Sequence, residues 1–524
     1  MSRKLKKTIV LIFFTLIFAF FTYSLVKNQT NHPINKNKIL TIGLESKIST
    51  FDPRIIGLDA NTQYMEELLF LPLISFDKFG TLKNVLAQSI IPQSNRSWKI
   101  KIKPGFFFAS GKEITAQDIV ATYDVIMHPP FGFPVSPRKG AFKNVVKFEA
   151  TSPHEINLEI TEPDASFLNN LVIGTLPSEV AKKSLPNDVI GKLNESGPYT
   201  VKMASNTELI FVKNNYYHVT EPSKMNEIHF LIIPDAGTRY AALIKGDLDI
   251  IQNALDPDKV NTIEKNENKQ FHVLETTKLG TTYLGFNFKN PVLQNLNVRE
   301  AIGKALDIKS ILKYRLHSDE APATSLFPPE NFYFNKNITQ VSYAPDEAKL
   351  LLKKSGLKLP IPISIKVSSS NKIILEGAKA IVANLKAVGF NPQLETLENS
   401  VFQDQIRKGL SQIWISPWTG FKDPDHLHFI FASDMIPPNG GNRGFYSNST
   451  LDTLLLHGRE ELNLEKRKEI YDQAQEIISR ELPYIFLWHG KNFAVVSQAV
   501  SGFEIYADGR YMSLLHVTKT NTGS

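Results

Sequence analysis

Few residues in this chain are spaced for chemistry, and the best-spaced group is Asp423-Pro424-Asp425-His426-Leu427-His428. Carboxylates and imidazoles gathered this closely are donor types that divalent metals accept. On a strand, His426 and His428 would share one face. Clusters of this kind are ordinarily loop caps and surface polar groups, so neither a metal nor a cofactor is expected. Serine, histidine and aspartate for a nucleophilic relay are present, as in any long chain, but no Gly-x-Ser-x-Gly turn marks a nucleophile. His-Glu-x-x-His, the Walker loop and Gly-x-Gly-x-x-Gly are missing too. The chain has no cysteine, which removes thiol nucleophiles, thiolate zinc sites and disulfides. Catalysis has no positive support.

Aromatic residues offer binding rather than reaction. Trp414, Trp418, Phe421, Trp488 and His489 stand in stretches punctuated by Gly, Pro and Asp, as loops lining ligand clefts do. Such aromatics also fill cores, so their meaning depends on the elements that carry them.

Those elements mix strands and helices without a regular βαβ repeat. Trp98–Ile102 and Ile156–Ile160 alternate apolar and polar residues, as half-buried strands do, and Ile228–Ile233 is a nearly continuous apolar run. Helices announce themselves by their caps. Thr115 precedes Ala116–Met127 with Asp118 three residues on, and Asn297 precedes Val298–Leu306 with Glu300 three on. Pro345 opens a helix closed by Gly356, and the stripe Ile374, Ala378, Ile381, Leu385 ends at Gly389. Asn463 opens a late helix that Pro483 stops.

At 524 residues the chain is too long for one hydrophobic core, since cores stop growing near about 250–300 residues. Its net charge of +7 is concentrated at the start, where Arg3, Lys4, Lys6, Lys7 and Lys27 meet no acid. The body is close to neutral and has no long basic run, so no nucleic-acid face is expected. Thr8–Val26 carries no charge and is strongly apolar. Together with the basic flank it reads as a cleavable signal peptide or an uncleaved membrane anchor, and either exports the rest of the chain.

A series of landmarks in fixed order carries a family resemblance. Thr50-Phe51-Asp52-Pro53 is followed by Leu86-Ala87-Gln88-Ser89, by Trp98–Ile102, and by Lys103-Pro104-Gly105 through Gly111-Lys112-Glu113-Ile114-Thr115-Ala116-Gln117-Asp118. Then come Ser196-Gly197-Pro198-Tyr199, Asn214–Tyr217, Ala241–Asp249, Tyr283–Asn287 with Asn297–Ala301, and Tyr343–Leu351. From about residue 39 to 512 the chain resembles the family-5 extracellular solute-binding proteins. These are dipeptide and oligopeptide receptors of ABC importers, with nickel-chelate and haem relatives.

The resemblance implies an α/β periplasmic-binding-protein fold of two lobes joined by a hinge, with a domain inserted in the first lobe. Its boundaries are expected as a leader over 1–27, a linker over 28–38, and first-lobe segments over 39–66, 191–285 and 491–524. The insert takes 67–190 and the second lobe 286–490. The implied function is capture of an oligopeptide between the lobes and its delivery to an ABC permease, by a monomer in the periplasm, without chemistry. Trp418, Thr419 and Gly420 are expected to line the cleft, and Phe421 and Asp423 to set specificity. Tyr283, Asn287, Trp488 and His489 are expected nearby.

In one place the chain departs from the family. The peptide receptors hold the ligand's amino terminus with an acidic residue in a loop that here reads Trp418-Thr419-Gly420-Phe421-Lys422-Asp423-Pro424-Asp425. Phe421 stands where the carboxylate is expected. Either Asp423 takes over the role, or no free amine is captured. Two rival readings follow: a receptor for a metal chelate or haem using His426, His428 or His489, and a membrane-anchored sensor that does not transport.

Overall fold

The computed structural model describes residues 38–520, apart from 57–59, 184–190, 219–222, 266–269, 317 and 319. The expected leader, and all of the linker except Lys38, lie outside the described residues. Among the described residues, no helix is long and apolar enough to cross a membrane.

The chain builds three main sheets. The first has seven strands, in the order Phe271–Thr277, Lys491–Ser497, Ile250–Gln252, Ile39–Leu44, Glu227–Ile232, Glu208–Lys213 and Tyr199–Ala204. Ile39–Leu44 pairs in parallel with both of its neighbours. The second sheet has five strands, in the order Phe390–Leu397, Ile361–Ser368, Ile413–Thr419, Gly280–Phe286 and Tyr484–Trp488. The third is an antiparallel sheet of Ala87–Ser94, Ser97–Ile102, Glu155–Ile160 and Val145–Ser152. It shares one apolar core with the first sheet, for Trp98 and Tyr123 belong to the same buried cluster as Leu40 and Phe230.

The chain crosses between lobes twice, and the crossings lie side by side. It leaves the first sheet at Lys278 and Leu279 and returns through His489 and Gly490. Lys278 N–H donates to the Gly490 carbonyl at 2.7 Å, and Thr281 Oγ1 donates to the Trp488 carbonyl at 3.2 Å. Two short connecting segments tied together in this way make a hinge of few residues, the usual device for domain closure. Among the described residues the buried cores of the lobes are separate: those of the first have no buried member between Ile263 and Ala494, those of the second run from Tyr283 to Trp488, and the half-buried Leu462 of the second lobe packs against the first. Beyond the Leu462 contact, the lobes meet through ion pairs such as Lys422–Asp508 and Arg459–Asp164, which can part without exposing a buried core.

Sheet membership moves one boundary. Gly280–Phe286 pairs along its whole length with Ile413–Thr419, so the second lobe begins near 279 and not at 286. The helix expected to follow an Asn297 cap is Leu296–Ala305, capped by Asn295, whose side chain accepts from the Asn297 N–H at 3.0 Å. Elsewhere the caps stand where they were read. Thr115 and Asp118 form the capping box of Ala116–Met127, Gly389 ends Lys372–Val388 with a positive φ, and the Asn463 side chain caps Leu464–Glu481.

Candidate binding cleft

Between the lobes lies a cavity of about 1100 Å³. One wall is the segment that leaves the second sheet after Ile413–Thr419, namely Pro417 to Asp423. Facing it are Tyr64, Glu66, Glu67 and Phe76 of the first lobe, with Arg510 from the returning chain. Arg138, Ser166 and Asn169 line it as well, and Lys278 comes from the hinge.

Trp418 is the aromatic face of this wall. Its ring lies parallel to Tyr283, with centroids 6.0 Å apart, and Tyr283 in turn stacks on Tyr484 at 4.1 Å. The Tyr283 hydroxyl accepts from Trp414 Nε1 at 3.2 Å, so Tyr283 is a fully buried support behind Trp418. The Arg443 guanidinium sits over the Trp418 ring at 4.5 Å. Phe421 packs, tilted to both rings, between Trp418 (5.7 Å) and His426 (4.3 Å) and is buried. Thr419 and Gly420 are exposed to the cavity, and Gly420 N–H donates to the Leu279 carbonyl at 2.6 Å, which ties the loop to the hinge.

The carboxylates of the cleft are nearly all engaged. Asp423 receives two hydrogen bonds from Arg467, at 2.8 and 2.9 Å, with both groups buried. Burial alone would raise the Asp423 pKa, but Arg467 more than offsets it and holds the carboxyl below its ordinary range. Arg138 pairs with Glu66 at 2.8 Å, and Arg510 binds both Glu67 and Asp508. Lys422 reaches across from the second lobe to Asp508 at 2.9 Å, its ammonium 4.0 Å from the Phe76 ring centroid. Asp425 pairs with Arg459 at 3.1 Å, and Arg459 with Asp164 of the opposite side at 3.3 Å. Burial pushes the Asp425 carboxyl up to about 7, against the pull of Arg459.

The residues picked from sequence divide clearly. Trp418, Thr419, Gly420, Phe421 and Asp423 all line the cavity, although Asp423 is tied to Arg467. His489 is buried at the hinge, with Nδ1 2.7 Å from the Gly280 carbonyl oxygen. Trp488 is buried in the second-lobe core, its ring against Gly377. Asn287 lies at the far end of its strand, where its amide donates to the carbonyls of Gly409 and Ser411 at 2.9 Å each, and the structure does not bring it to the cavity. His426 and His428 lie on the helix His426–Phe431 and not on a strand, so they do not share a face. Among the described residues no group of three His, Asp or Glu could hold a metal.

Sequence reasoning missed Lys278, Lys422, Asp508 and Arg510. Of these only Lys422 carried a usable signal, because it sits inside the aromatic loop already singled out.

Behind the hinge, Glu320 has a carboxylate oxygen buried without a hydrogen-bond partner, and burial pushes its pKa up to about 7. A carboxyl raised above its unfolded value of about 4.3 favours the fold fully at low pH, and that contribution is lost as pH rises through 7. The melting temperature of Glu320→Gln relative to the parent protein should therefore climb between pH 5 and pH 8. A difference that stays flat across this range would mean that Glu320 is ionised throughout.

Three comparisons with known proteins bear on this cleft. Residues 81–434, more than half of the chain, match the profile of bacterial extracellular solute-binding proteins, family 5. A probable di/tripeptide-binding protein of Pseudomonas aeruginosa is 24% identical over 500 residues, covering 90% of this chain and 94% of the relative. Heme-binding protein A of Haemophilus influenzae is 26% identical over 535 residues, covering 95% and 96%. Among solved structures, HbpA2 from Haemophilus parasuis superposes with a TM-score of 0.83 at 22% identity, covering 92% of this chain and all of that one.

Proposed function

Because the chain belongs to the bacterial extracellular solute-binding proteins of family 5, we propose that it takes up an oligopeptide between its lobes and hands it unaltered to an ABC permease. One observation carries the peptide reading. Ile413–Thr419 is paired with Gly280–Phe286 along its whole length but with Ile361–Ser368 only at Ile413 and Trp414. From Ile415 to Thr419 one edge of the strand is unpaired, and its last three residues, Pro417, Trp418 and Thr419, line the cleft. An extended peptide can add to such an edge through backbone hydrogen bonds, which do not depend on its side chains. The Trp418 ring beside that edge supplies apolar contact, and the size of the cavity leaves room for water around side chains of different shape.

Capture then works by differential affinity. The lobes touch through ion pairs such as Lys422–Asp508 and Arg459–Asp164, and a ligand that contacts both lobes shifts the hinge equilibrium toward closure. No chemistry is needed, and the carboxylates that could act as bases are held by arginine or lysine. We read the protein as a monomer that works in the periplasm. The names of its relatives support peptide capture, with haem as the nearest other ligand.

Trp418→Ala tests this reading. Removing a large aromatic from the centre of a contact surface should weaken peptide binding about tenfold or more in calorimetry. The ligand-free protein should lose little stability, because Trp418 is only partly buried. Unchanged affinity, with a large fall in melting temperature, would make Trp418 a packing residue and remove the aromatic wall from the binding site.

A further inference from the structure

We infer that the cleft selects a ligand bearing a carboxylate, held by Lys278, and not a free amino group; this rests on the cleft reading above. The charge pattern carries the inference. An incoming ammonium would need an unengaged carboxylate, and the cavity's acids Asp423, Asp425, Glu66, Glu67 and Asp508 are each already paired with a protein cation. At the position beside Phe421, where an amine-binding acid would help, the protein supplies a cation of its own, Lys422, and places it against Asp508.

Lys278 is in the opposite condition. It lines the cavity at the hinge, next to Leu279, whose carbonyl holds Gly420. Among the described residues its ammonium has neither an ion-pair nor a hydrogen-bond partner, while Arg138, Lys422 and Arg510 on the same cavity are paired. Burial lowers the Lys278 pKa, and Glu320, the acid that opposes this, is itself pushed toward the neutral form by burial. A partly desolvated cation with no ion-pair or hydrogen-bond partner is costly to keep. A ligand carboxylate placed against it would restore that interaction and cost the protein no existing pair. The cleft therefore favours a peptide with a blocked amino terminus and a free carboxyl end.

Calorimetry with four probes tests this: N-acetyl-trialanine with a free carboxylate, trialanine amide with a free amine, haem, and haem dimethyl ester. The acetylated acid should bind about tenfold or more tightly than the amide. Lys278→Met should remove that preference and Lys278→Arg should keep it. Because Lys278 has no ion-pair or hydrogen-bond partner to lose, Lys278→Met should melt at or above the parent protein and Lys278→Arg close to it, and this control separates lost binding from lost folding. If neither peptide binds while haem binds better than its ester and Lys278→Met abolishes the difference, the charge inference stands and the peptide reading falls. Equal or tighter binding of trialanine amide, haem ester matching haem, or no binding of any probe would overturn the inference.

Discussion

Asp423→Ala is expected to cost about 3–5 kcal/mol of stability, because it leaves the Arg467 guanidinium buried without its counter-ion. Set against a typical total of about 5–15 kcal/mol, that is enough to unfold much of the protein at moderate temperature. The other hydrogen bonds that Arg467 donates go to neutral groups, the Tyr333 hydroxyl at 3.1 Å and the Gly458 carbonyl at 2.9 Å. Arg467→Ala should cost a similar amount by stranding the carboxylate. The double variant should lose much less than the sum of the two, since neither charge is then left alone. Denaturant titration of all four proteins measures this coupling. The experiment also separates the two roles open to Asp423. If Asp423→Ala melted normally and lost affinity only for peptides with a free amine, Asp423 would be the amine-binding acid and the account of the cleft would be wrong.

Gly280→Ala should damage both the hinge and the cleft. Gly280 has φ +145°, and a Cβ there would lie 2.2 Å from the Trp418 carbonyl oxygen and 2.9 Å from Thr419 Cα. Both contacts are with backbone, which cannot rotate away as a side chain would. Overpacking costs about 1–3 kcal/mol, and the backbone conformation adds about 1–3 more. The relief available is to push the Trp418–Thr419 wall outward, and this disturbs the His489 contact to the Gly280 carbonyl as well. Peptide affinity should fall about tenfold or more along with stability. Gly140→Ala is the control: nothing lies within 4 Å of its Cβ position, so melting and binding should both be unchanged. Wild-type affinity in Gly280→Ala would show that the close approach at Trp418 does not shape the site.

Local physics was legible in the sequence. The capping box at Thr115 and Asp118, the αL stop at Gly389 and the alternation in Trp98–Ile102 each depend on neighbours within a few positions, and each formed as expected. The aromatic loop was legible because Trp418 to Phe421 is one continuous segment. Charge pairs were not. Lys422 with Asp508 and Arg510 with Glu67 join positions far apart in the chain, and only the lobe arrangement brings them together. Asn287 was misplaced for a geometric reason: Gly280–Phe286 advances about 3.3 Å per residue, so a residue just past its end lies roughly 20 Å from the hinge end. The lobe boundary slipped because the strands Phe271–Thr277 and Gly280–Phe286 follow one another with no turn signal to show that they belong to different sheets.

The claim beneath all of this is that a solute is enclosed by two lobes moving about the paired crossings at Lys278–Leu279 and His489–Gly490. Small-angle X-ray scattering from the purified protein, free and saturated with a ligand it binds, tests that claim most directly. The account predicts a smaller radius of gyration in the bound state, as ligand contacts to both lobes populate closure. An unchanged radius at proven saturation would place the solute outside the cleft and contradict it.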